Sequence, residues 1–543
     1  MLLKDYKGIN DLKDLDNQGL EELSQDLRNA IIAENEANGG HLGSNLAVVE
    51  LTVSLLKHFQ DKAKILFDTS YQAYSYKRLT DRFDIFENMH KIDGYSIFQE
   101  THEGDPYSGG HTSISAAWAS GYKKIDNELV IEVIGDGSLA SSIGLGGMLN
   151  FASDLKNKGL FILNDNKQGI GINKFNYLNW ELIAKGMDFD YIEVQDGHDF
   201  DELEKAWKFF ESSSKNVFVK VNSEKAKGYK VLTPEQALHY TYPKNYTPSQ
   251  DKTFISSVEV FVNQLDEILK DKNSYVYMAG MMYAFGLSEV AKKYPGQIID
   301  AGIAEEIAMI EAAAAANLGK KVYLIIASSF FQRTYDQIVH DLIRNNSNLT
   351  IIIAGANYSL IGDSHHGIYD LNMYNAFESI LIYQPSTVGE FNKALFDLNY
   401  KGTKVIRVED LIENVENKVD LNKWTYDVNV DANKVVIAYG SSYEKLKKYI
   451  QENNLNVGLV KAVSLNPIDK DLIQQLVDDN KQIYTYELVF AKNNLASSIR
   501  VKFENTLIKD FSFRKNIIGR ASDDYIMKNN NLDFDTVFKS IEE

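Results

Sequence analysis

The chain has 543 residues, 44% of them hydrophobic and 24% charged, which is an ordinary composition for a globular protein. At one domain per ~150 residues, this length predicts roughly three to four domains. The formal net charge of −19 argues against nucleic acid as a partner, because binding a polyanion needs a basic surface, and the absence of cysteine excludes disulfides, thiolate catalysis and Cys-ligated zinc.

The N-terminal region alternates charged and apolar residues, as in MLLKDYKGINDLKDLD, and it lacks the apolar core of a signal peptide. No apolar run along the chain approaches the ~18 residues that a membrane span requires. We therefore expect a cytoplasmic protein that has no membrane as a partner.

Short runs rich in β-branched residues recur along the chain, and helix-like periodicity follows them. Strands that alternate with helices predict βαβ units and mainly parallel sheets, whose strands are covered on both faces. The predicted class is therefore α/β, with doubly wound domains. The predicted strands are Leu129–Ile134, Leu160–Leu163, Val217–Val221, Tyr275–Met278, Val322–Ala327, Thr350–Ala354, Val405–Val408, Val435–Tyr439 and Ile483–Tyr486.

Two polar segments predict boundaries between domains. Residues 241–251 read TYPKNYTPSQD, and they separate one series of strands and helices from the next. Residues 411–433 are charged and rich in Asn and Asp, and no clear strand follows them until Val435. We therefore predict three α/β domains, at about 1–240, 250–410 and 430–543.

The sharpest local feature lies at the end of the first predicted strand. Gly135, Asp136 and Gly137 follow this strand, and a run rich in small residues begins at Ser138. Glycines beside Asp136 let the main chain approach a phosphate closely, and the N-terminus of a following helix favours negative charge. A plain turn is the alternative interpretation of these residues taken alone.

The second predicted strand ends in a cluster of side-chain oxygens that includes Asn166. Open α/β sheets bind ligands at the carboxyl ends of their strands, so Asp136 and Asn166 are expected at one such edge. Carboxylate and amide oxygens suit Mg²⁺, which often bridges a protein to a diphosphate. Asn166 follows Asp136 by 30 residues, and this pair resembles the signature of enzymes that bind thiamine diphosphate.

The segments around this pair resemble those of the 1-deoxy-D-xylulose-5-phosphate synthase family, in the same order from about residue 35 to 410. The C-terminal region is similar only in its strand pattern. The resemblance implies a transketolase-like fold, thiamine diphosphate with Mg²⁺, a homodimer and a place in isoprenoid biosynthesis. The segments that carry it are Gly39–Asn45 (GGHLGSN), Val48–Val53, Tyr71–Tyr74 with Lys77, Gly110–Ala116 (GHTSISA), Gln195–Asp199 (QDGHD), Lys227–Tyr229 (KGY), Asp300–Glu306 (DAGIAEE) and Ser329–Gln337 (SFFQRTYDQ).

The resemblance also implies which residues form the site. Asp136 and Asn166 are implied to bind the metal through their side chains, and Gln168 through its main-chain carbonyl. Phe330 is implied to stack on the aminopyrimidine ring, and Met281 to hold the two cofactor rings in a bent arrangement. The residues implied to bind the cofactor are His111, Gly135, Asp136, Gly137, Ser138, Asn166, Met281, Glu305 and Phe330.

Glu305 is the residue expected to activate the cofactor. A carboxyl group hydrogen-bonded to the aminopyrimidine promotes this step if it lies in a partly apolar pocket. Apolar residues flank Glu305 on both sides, whereas its neighbour Glu306 is expected to face solvent. Histidines transfer protons near neutral pH, and the resemblance implies catalytic roles for His41, His239 and His365. The implied substrate contacts are Tyr71, Arg333 and Asp363.

The sequence departs from the family where the acceptor substrate is expected to bind. The family holds the acceptor's phosphate with arginines, because guanidinium groups match phosphate oxygens in geometry and charge. Asn357 and Asp410 stand at the corresponding positions, and a carboxylate there repels a phosphate. The segment after Asn173 is also shorter than in the family. We expect an acceptor that is unphosphorylated or held by Arg333 and Lys227.

Three functions compete at this point. The first is ligation of a two-carbon unit from pyruvate or a similar keto acid to an aldehyde, either glyceraldehyde 3-phosphate or another acceptor. The second is two-carbon transfer between sugars of the transketolase type, which proceeds without decarboxylation. The third is a non-catalytic homologue that binds the cofactor, which the presence of Asp136, Asn166 and Glu305 disfavours.

Overall fold

The structure is a computed structural model. It describes residues 1–69, 72–80, 91–92, 95–96, 106–107, 109–126, 128–169, 173–229, 252–359, 363–397, 400–504, 506–515 and 522–543. The chain divides into two compact units, Met1–Pro248 and Ser249–Glu543, and the boundary falls inside the predicted joint at 241–251. In the part of the chain that the structure describes, no helix is both long enough and apolar enough to cross a membrane.

The first unit is built on a parallel sheet with the strand order β1-β4-β5-β7-β6. Its central strand β5 is buried along its whole length, which explains why the sequence of this strand shows no alternation of polar and apolar residues. A separate antiparallel pair joins β2 to β3. The strands are β1 (Ala63–Phe67), β2 (Lys91–Ile92), β3 (Tyr95–Ser96), β4 (Leu129–Gly135), β5 (Leu160–Asp165), β6 (Asp190–Val194) and β7 (Val217–Asn222).

Helices cover both faces of this sheet. Ile131 and Val133 of β4 pack into one hydrophobic cluster, whereas Val130 and Ile134 pack into another, because successive side chains of a strand point to opposite faces. This arrangement confirms the prediction of a doubly wound sheet. The α-helices are Asn17–Asn38, Leu42–Leu46, Val49–Phe59, Tyr74–Leu79, Ser115–Ile125, Asp136–Leu139, Ser142–Ser153, Trp180–Gly186 and Phe200–Ser212, and short 3₁₀ helices span Leu3–Asp5 and Ile9–Leu12.

The second unit contains a larger sheet with the order β10-β9-β11-β12-β14-β13-β19, parallel except where β13 pairs with β19. A second sheet has the order β16-β18-β17-β20-β21, and β8 pairs with β15. The strands are β8 (Phe254–Ser256), β9 (Ser274–Met278), β10 (Ile298–Asp300), β11 (Lys321–Ala327), β12 (Leu349–Ala354), β13 (Leu381–Tyr383), β14 (Lys404–Arg407), β15 (Leu411–Glu413), β16 (Thr425–Val428), β17 (Lys434–Ala438), β18 (Gly458–Lys461), β19 (Ser464–Asn466), β20 (Gln482–Phe490) and β21 (Ile508–Phe513).

Helices alternate with these strands along the second unit. The α-helices are Ser257–Leu269, Ser288–Lys293, Glu305–Asn317, Ser328–Phe331, Tyr335–Gln337, Asp370–Tyr374, Val388–Phe396, Ser441–Glu452, Lys470–Asp478, Leu495–Lys502, Asp523–Asn529 and Phe534–Glu542. Short 3₁₀ helices span Gln332–Thr334 and Asp363–His365, and one π-helical turn spans Ile338–Ile343.

Each of the nine strands predicted from the sequence corresponds to an observed strand, and the α/β class with mainly parallel sheets is confirmed. β19 lies beyond residue 430 but joins the larger sheet, and one hydrophobic cluster includes residues of both sheets of the second unit. The separation of this unit into domains at 250–410 and 430–543 stays a prediction.

Candidate functional site

The Gly135-Asp136-Gly137 turn lies at the carboxyl end of β4. β4 ends at Gly135, and Asp136 begins the short helix Asp136–Leu139, so Asp136 lies at the edge of the sheet. The neighbouring strand β5 pairs with β4 in parallel, with Gly135 opposite Asn164, and Asn166 follows β5 directly. Asp136 and Asn166 therefore lie at the carboxyl ends of adjacent strands, as their positions in the sequence predict.

The carboxyl group of Asp136 is buried, and only one of its two oxygens has a hydrogen-bond partner among the described residues. Its Oδ2 accepts a hydrogen bond of 2.6 Å from Asn173 Nδ2, whereas Oδ1 has no hydrogen-bond partner among the described residues. The pKa of Asp136 is raised to about 6, chiefly by burial and also by the nearby Asp165, while the hydrogen bond from the Asn173 amide opposes the shift. A buried carboxylate oxygen without a partner is costly, so this geometry suits a site that gains a cation or a donor from a ligand.

The turn after β5 arranges further oxygens close to the end of this strand. Asn166 Oδ1 accepts a hydrogen bond of 3.0 Å from Gln168 N, and the chain turns between them at Lys167 with a φ of +62°. The described residues contain no cluster of three His, Asp or Glu side chains that could hold a metal. A Mg²⁺ site here therefore depends on Asp136 with the amide oxygen of Asn166 and the carbonyl of Gln168, a set of hard oxygens that fits this ion.

Lys225 is a component of this region that the sequence alone did not single out. Its side chain is buried, and Nζ donates a hydrogen bond of 2.5 Å to the carbonyl oxygen of Gly169. Burial lowers the pKa of Lys225 to about 8, while the charge of Asp136 acts in the opposite direction. Lys227, which the sequence indicates as a residue that could hold the acceptor, pairs with Glu224 at 3.6 Å and is partly exposed. The nearby KGY segment is the sequence signal that could have indicated Lys225.

Two histidines with predicted roles, His41 in catalysis and His111 in cofactor binding, lie in the first unit. His41 is buried just before the helix Leu42–Leu46, and its carbonyl oxygen accepts a hydrogen bond of 2.7 Å from Asn45 Nδ2. His111 is half-buried in the turn that precedes the helix Ser115–Ile125. The hydroxyl group of Ser138, two residues after Asp136, lowers the pKa of the buried Asp68, which burial raises. These contacts fix the main chain around the predicted residues, but they leave the roles of the histidines as predictions.

Glu305 is the first residue of the helix Glu305–Asn317, and its side chain is only 4% exposed. Arg333 Nη1 donates a hydrogen bond of 3.3 Å to Glu305 Oε2. Burial raises the pKa of Glu305, while the positive charge of Arg333 opposes the shift. The neighbouring Glu306 is half-buried, less exposed than the solvent-facing position expected for it. Glu305 is a desolvated carboxyl group, as the apolar residues that flank it predict, and the guanidinium group of Arg333 lies beside it.

Phe330 and His365 lie next to each other in the second unit. Phe330 belongs to the short helix after β11 and packs against the core, and its ring centre lies 6.0 Å from that of His365. His365 Nδ1 is 2.9 Å from Ser364 Oγ. Met281 follows β9 and packs against a separate hydrophobic cluster of this unit. The structure therefore brings Phe330 and His365 together, and Phe330 and Met281 pack against different hydrophobic clusters.

Arg407 ends β14, three residues before Asp410. The buried Arg407 forms a bidentate ion pair with Asp370, at 2.8 and 3.0 Å, and also donates to Gln384 Oε1 and to the Gly367 carbonyl. Burial and the neighbouring Glu409 raise the pKa of Asp410.

Asn357 supports local main-chain geometry. It adopts a φ of +90°, and its Oδ1 accepts a hydrogen bond of 2.8 Å from Tyr358 N. Arg407 and Asn357 therefore serve the local structure in this chain, and the altered acceptor site stays a prediction.

Three predicted positions cannot be placed. Tyr71 and His239 lie outside the described residues, as does the side chain of Asp363. The predicted cofactor residues fall into the first unit, with Asp136 and Asn166, and the second unit, with Glu305 and Phe330.

Comparisons with known proteins match the chain in both units. The family model described as 1-deoxy-D-xylulose-5-phosphate synthase matches residues 3–175, and the model described as the transketolase pyrimidine binding domain matches residues 259–401. The 1-deoxy-D-xylulose-5-phosphate synthase of Clostridium tetani is 29% identical, covering 99% of this chain and 98% of the relative. That of Fusobacterium nucleatum is 28% identical, covering 97% of this chain and 99% of the relative.

The chain is also similar to solved structures. The transketolase of Campylobacter jejuni is 14% identical, with a TM-score of 0.46, and the match covers 97% of this chain and 100% of that one.

Proposed function

We propose that this chain, which belongs to the 1-deoxy-D-xylulose-5-phosphate synthase family of thiamine-diphosphate-dependent transferases, joins a two-carbon unit from pyruvate or a similar keto acid to an aldehyde. The observation that carries the proposal is Glu305, a buried carboxyl group with a raised pKa at the start of a helix. Thiamine diphosphate supplies a nucleophilic carbon and an electron sink when it is bound. The residues of the chain bind and orient it and move protons.

The diphosphate end is proposed to bind in the first unit with Mg²⁺. Asp136 supplies the unpartnered Oδ1, and Asn166 and Gln168 supply neutral oxygens at the end of the next strand. Lys225 adds a positive charge that compensates part of the diphosphate's negative charge. The main-chain N–H groups at the start of the helix Asp136–Leu139 favour an anion as well. Gly135, Gly137, Ser138 and His111 complete the proposed binding residues.

The aminopyrimidine end is proposed to bind in the second unit. Glu305 holds a proton on its carboxyl group and exchanges it with a ring nitrogen, for which its raised pKa is favourable. Phe330 offers an aromatic face for stacking, and Met281 an apolar contact. His41, His239 and His365 are proposed to exchange protons with the substrate, and Tyr71, Arg333 and Asp363 to contact it.

The acceptor is proposed to be an aldehyde other than glyceraldehyde 3-phosphate. Asp410 is an acidic group at an expected phosphate position. Arg407, three residues before it, is paired with the buried Asp370. Arg333, which is hydrogen-bonded to Glu305, is the arginine that supports any remaining interaction with an anionic substrate. The family implies a place in isoprenoid biosynthesis, but that place requires glyceraldehyde 3-phosphate as the acceptor, so a different acceptor would place the reaction elsewhere.

The proposal is tested by supplying pyruvate, thiamine diphosphate and Mg²⁺ with a panel of aldehydes that differ only in a terminal phosphate. We expect release of carbon dioxide and a new ketose, detected by its mass, with the unphosphorylated aldehydes at least as active as the phosphorylated ones. Turnover of ketose donors without carbon dioxide release would instead support the transketolase-type reaction. Binding of the cofactor without turnover of any donor would support a non-catalytic homologue.

The chain is also proposed to form a homodimer in the cytoplasm. The helix Glu305–Asn317 exposes Ile307, Ile310 and Ala314 at intervals of three and four residues, which gives it an apolar outer face. Such a face supports self-association, because exposed apolar patches are uncommon on monomers. Light scattering after gel filtration tests the dimer, with Ile310→Lys expected to yield monomers, and fractionation of cells tests the location.

A further inference from the structure

A group of buried polar side chains lies beneath the turn that carries His111. Asp68 follows strand β1, Glu132 lies in the neighbouring strand β4, and Ser115 begins the helix Ser115–Ile125. Asp68 is 1% exposed, and Glu132 and Ser115 are completely buried. The proposed function assigns no role to these three residues.

The hydrogen bonds of Ser115 require a proton on one of the two carboxyl groups. Ser115 Oγ lies 2.8 Å from Asp68 Oδ1 and also contacts Glu132 Oε1. A serine hydroxyl has a single proton, so it can donate to only one carboxyl group. The other carboxyl group must donate to Ser115 Oγ, because an ionised group would place its lone pairs against those of the hydroxyl.

Asp68 is the group whose surroundings suit a negative charge. Its carboxylate accepts hydrogen bonds from the main-chain N–H groups of Ser113 at 2.9 Å and Ser115 at 3.3 Å. Burial raises the pKa of Asp68, and these N–H groups together with the hydroxyl groups of Ser138 and Ser115 oppose that shift. Asp68 further lies at the N-terminus of the helix Ser115–Ile125, where the helix dipole stabilises an anion.

Glu132 has the opposite surroundings. Its neighbours on the same face of β4, Val130 and Ile134, belong to a hydrophobic cluster that also contains Leu66, which lies beside Glu132 on β1. Glu132 Oε2 has no hydrogen-bond partner in the described part of the chain. Burial raises the pKa of Glu132 well above its usual value, and the charge of Asp68 raises it further.

We propose that Glu132 is a neutral carboxylic acid that donates its proton to Ser115, and that Ser115 in turn donates to Asp68. Asp68 then accepts from two main-chain N–H groups and from the Ser115 hydroxyl at once. Glu132 is therefore a positioning residue, which acts on the cofactor site only through Ser115 and Asp68.

This chain of hydrogen bonds fixes one segment of the proposed diphosphate site and lies close to a second. Ser113, two residues after His111, adopts a φ of +78°, an unfavourable conformation for a residue with a side chain, and Asp68 accepts a hydrogen bond from its N–H group. The hydroxyl group of Ser138, two residues after Asp136, lowers the pKa of the same carboxyl group. Asp68 thus holds the turn that carries His111 and lies near the turn that carries Asp136. This positioning role rests on the proposed function, whereas the protonation of Glu132 does not.

Infrared spectroscopy tests the protonation of Glu132 without any cofactor. The difference spectrum between the wild-type protein and Glu132→Gln at neutral pH is expected to contain the carbonyl stretch of one protonated carboxylic acid. This band should shift in heavy water. A difference spectrum with only carboxylate bands would overturn the proposal.

Cofactor binding tests the positioning role. We titrate each protein with thiamine diphosphate and Mg²⁺ and follow the quenching of tryptophan fluorescence. Ser115→Ala removes the link and is expected to weaken binding about tenfold. Glu132→Gln keeps a donor for Ser115, so its affinity should remain within about twofold of the wild type.

Thr52→Ala serves as a matched control for the loss of a buried hydroxyl. Thr52 is completely buried in the same unit, and its Oγ1 donates to the Val48 carbonyl, so the change lowers stability without touching the chain of hydrogen bonds. Equal affinities in Ser115→Ala and Thr52→Ala, at similar melting temperatures, would overturn the positioning role, as would strong weakening in Glu132→Gln. Failure of the wild-type protein to bind the cofactor would overturn the proposed function and this role together, while the infrared band would still decide the state of Glu132.

Discussion

Asp136 in the first unit and Glu305 in the second are both buried carboxyl groups at the start of a helix, but their surroundings differ. Asp136 has one oxygen bonded to a neutral amide and one without a partner among the described residues. Glu305 instead accepts a hydrogen bond from the guanidinium group of Arg333. Burial raises the pKa of both groups.

The difference indicates two kinds of chemistry. A carboxylate with an unpartnered oxygen gains most from a ligand that brings a positive charge, such as a metal ion with its diphosphate. A carboxyl group whose counter-charge is already present in the chain needs no added cation and can exchange a proton instead. We therefore expect changes at Asp136 to affect binding and changes at Glu305 to affect turnover.

Glu305→Gln should have the largest effect. The amide cannot exchange a proton with the cofactor, so kcat is expected to fall about a thousandfold, while the affinity for thiamine diphosphate stays nearly unchanged. Steady-state kinetics and a binding titration measure the two quantities. Glu306→Gln, at the more exposed neighbouring position, is the control and should retain almost full activity. If Glu305→Gln kept more than a tenth of the wild-type kcat, Glu305 would not be the acid–base residue.

The comparison can be sharpened with a second arginine–carboxylate pair in the same unit. Asp370→Asn leaves the buried Arg407 without its counter-ion, and the free energy of unfolding is expected to fall by about 3 kcal/mol. Denaturant unfolding measures this loss, and Asp524→Asn, in a distant surface pair with Lys528, is expected to change stability little. A stability close to that of the wild type would contradict the structural role assigned to Arg407.

Asp136→Asn should separate binding from folding in the first unit. Loss of a charged ligand is expected to weaken the binding of Mg²⁺ with thiamine diphosphate about a hundredfold. The apo-protein should remain folded, because the Asn side chain still offers an oxygen to Asn173. Calorimetric titration measures the affinity, with Asp188→Asn as an exposed control in the same unit. Unchanged affinity would exclude Asp136 as a metal ligand.

Lys225→Met should have the smallest effect, and a characteristic pH dependence. The pKa of Lys225 is lowered to about 8, so the ammonium group attracts the diphosphate below this pH and loses its charge above it. Cofactor affinity is therefore expected to fall as the pH rises through about 8. In Lys225→Met this slope should disappear, and the affinity at pH 7 should be about tenfold lower.

Lys227→Met is the matched control for this test, because Lys227 is partly exposed and pairs with Glu224. It is expected to retain both the wild-type affinity and the wild-type slope. The same slope in Lys225→Met as in the wild type would show that another group is responsible.

Much of the fold follows from local patterns. The nine predicted strands consist of β-branched and aromatic runs whose burial on both faces removes any polar alternation, so they were visible in the sequence. Short strands such as β13 and β19 were missed, because three residues carry too weak a pattern. The antiparallel pairing of β13 with β19 joins residues far apart in the chain, which local periodicity does not predict.

The sequence by itself determined that Asp136 and Asn166 each follow a predicted strand. It also determined that apolar residues flank Glu305. Only the tertiary structure decided that Lys225, rather than Lys227, is the buried lysine near Asp136, and that Arg407 is fully engaged with Asp370. The physical reason is that a motif specifies which chemical groups are present. Burial and partners depend on distant segments, and these set the charge and pKa of each group.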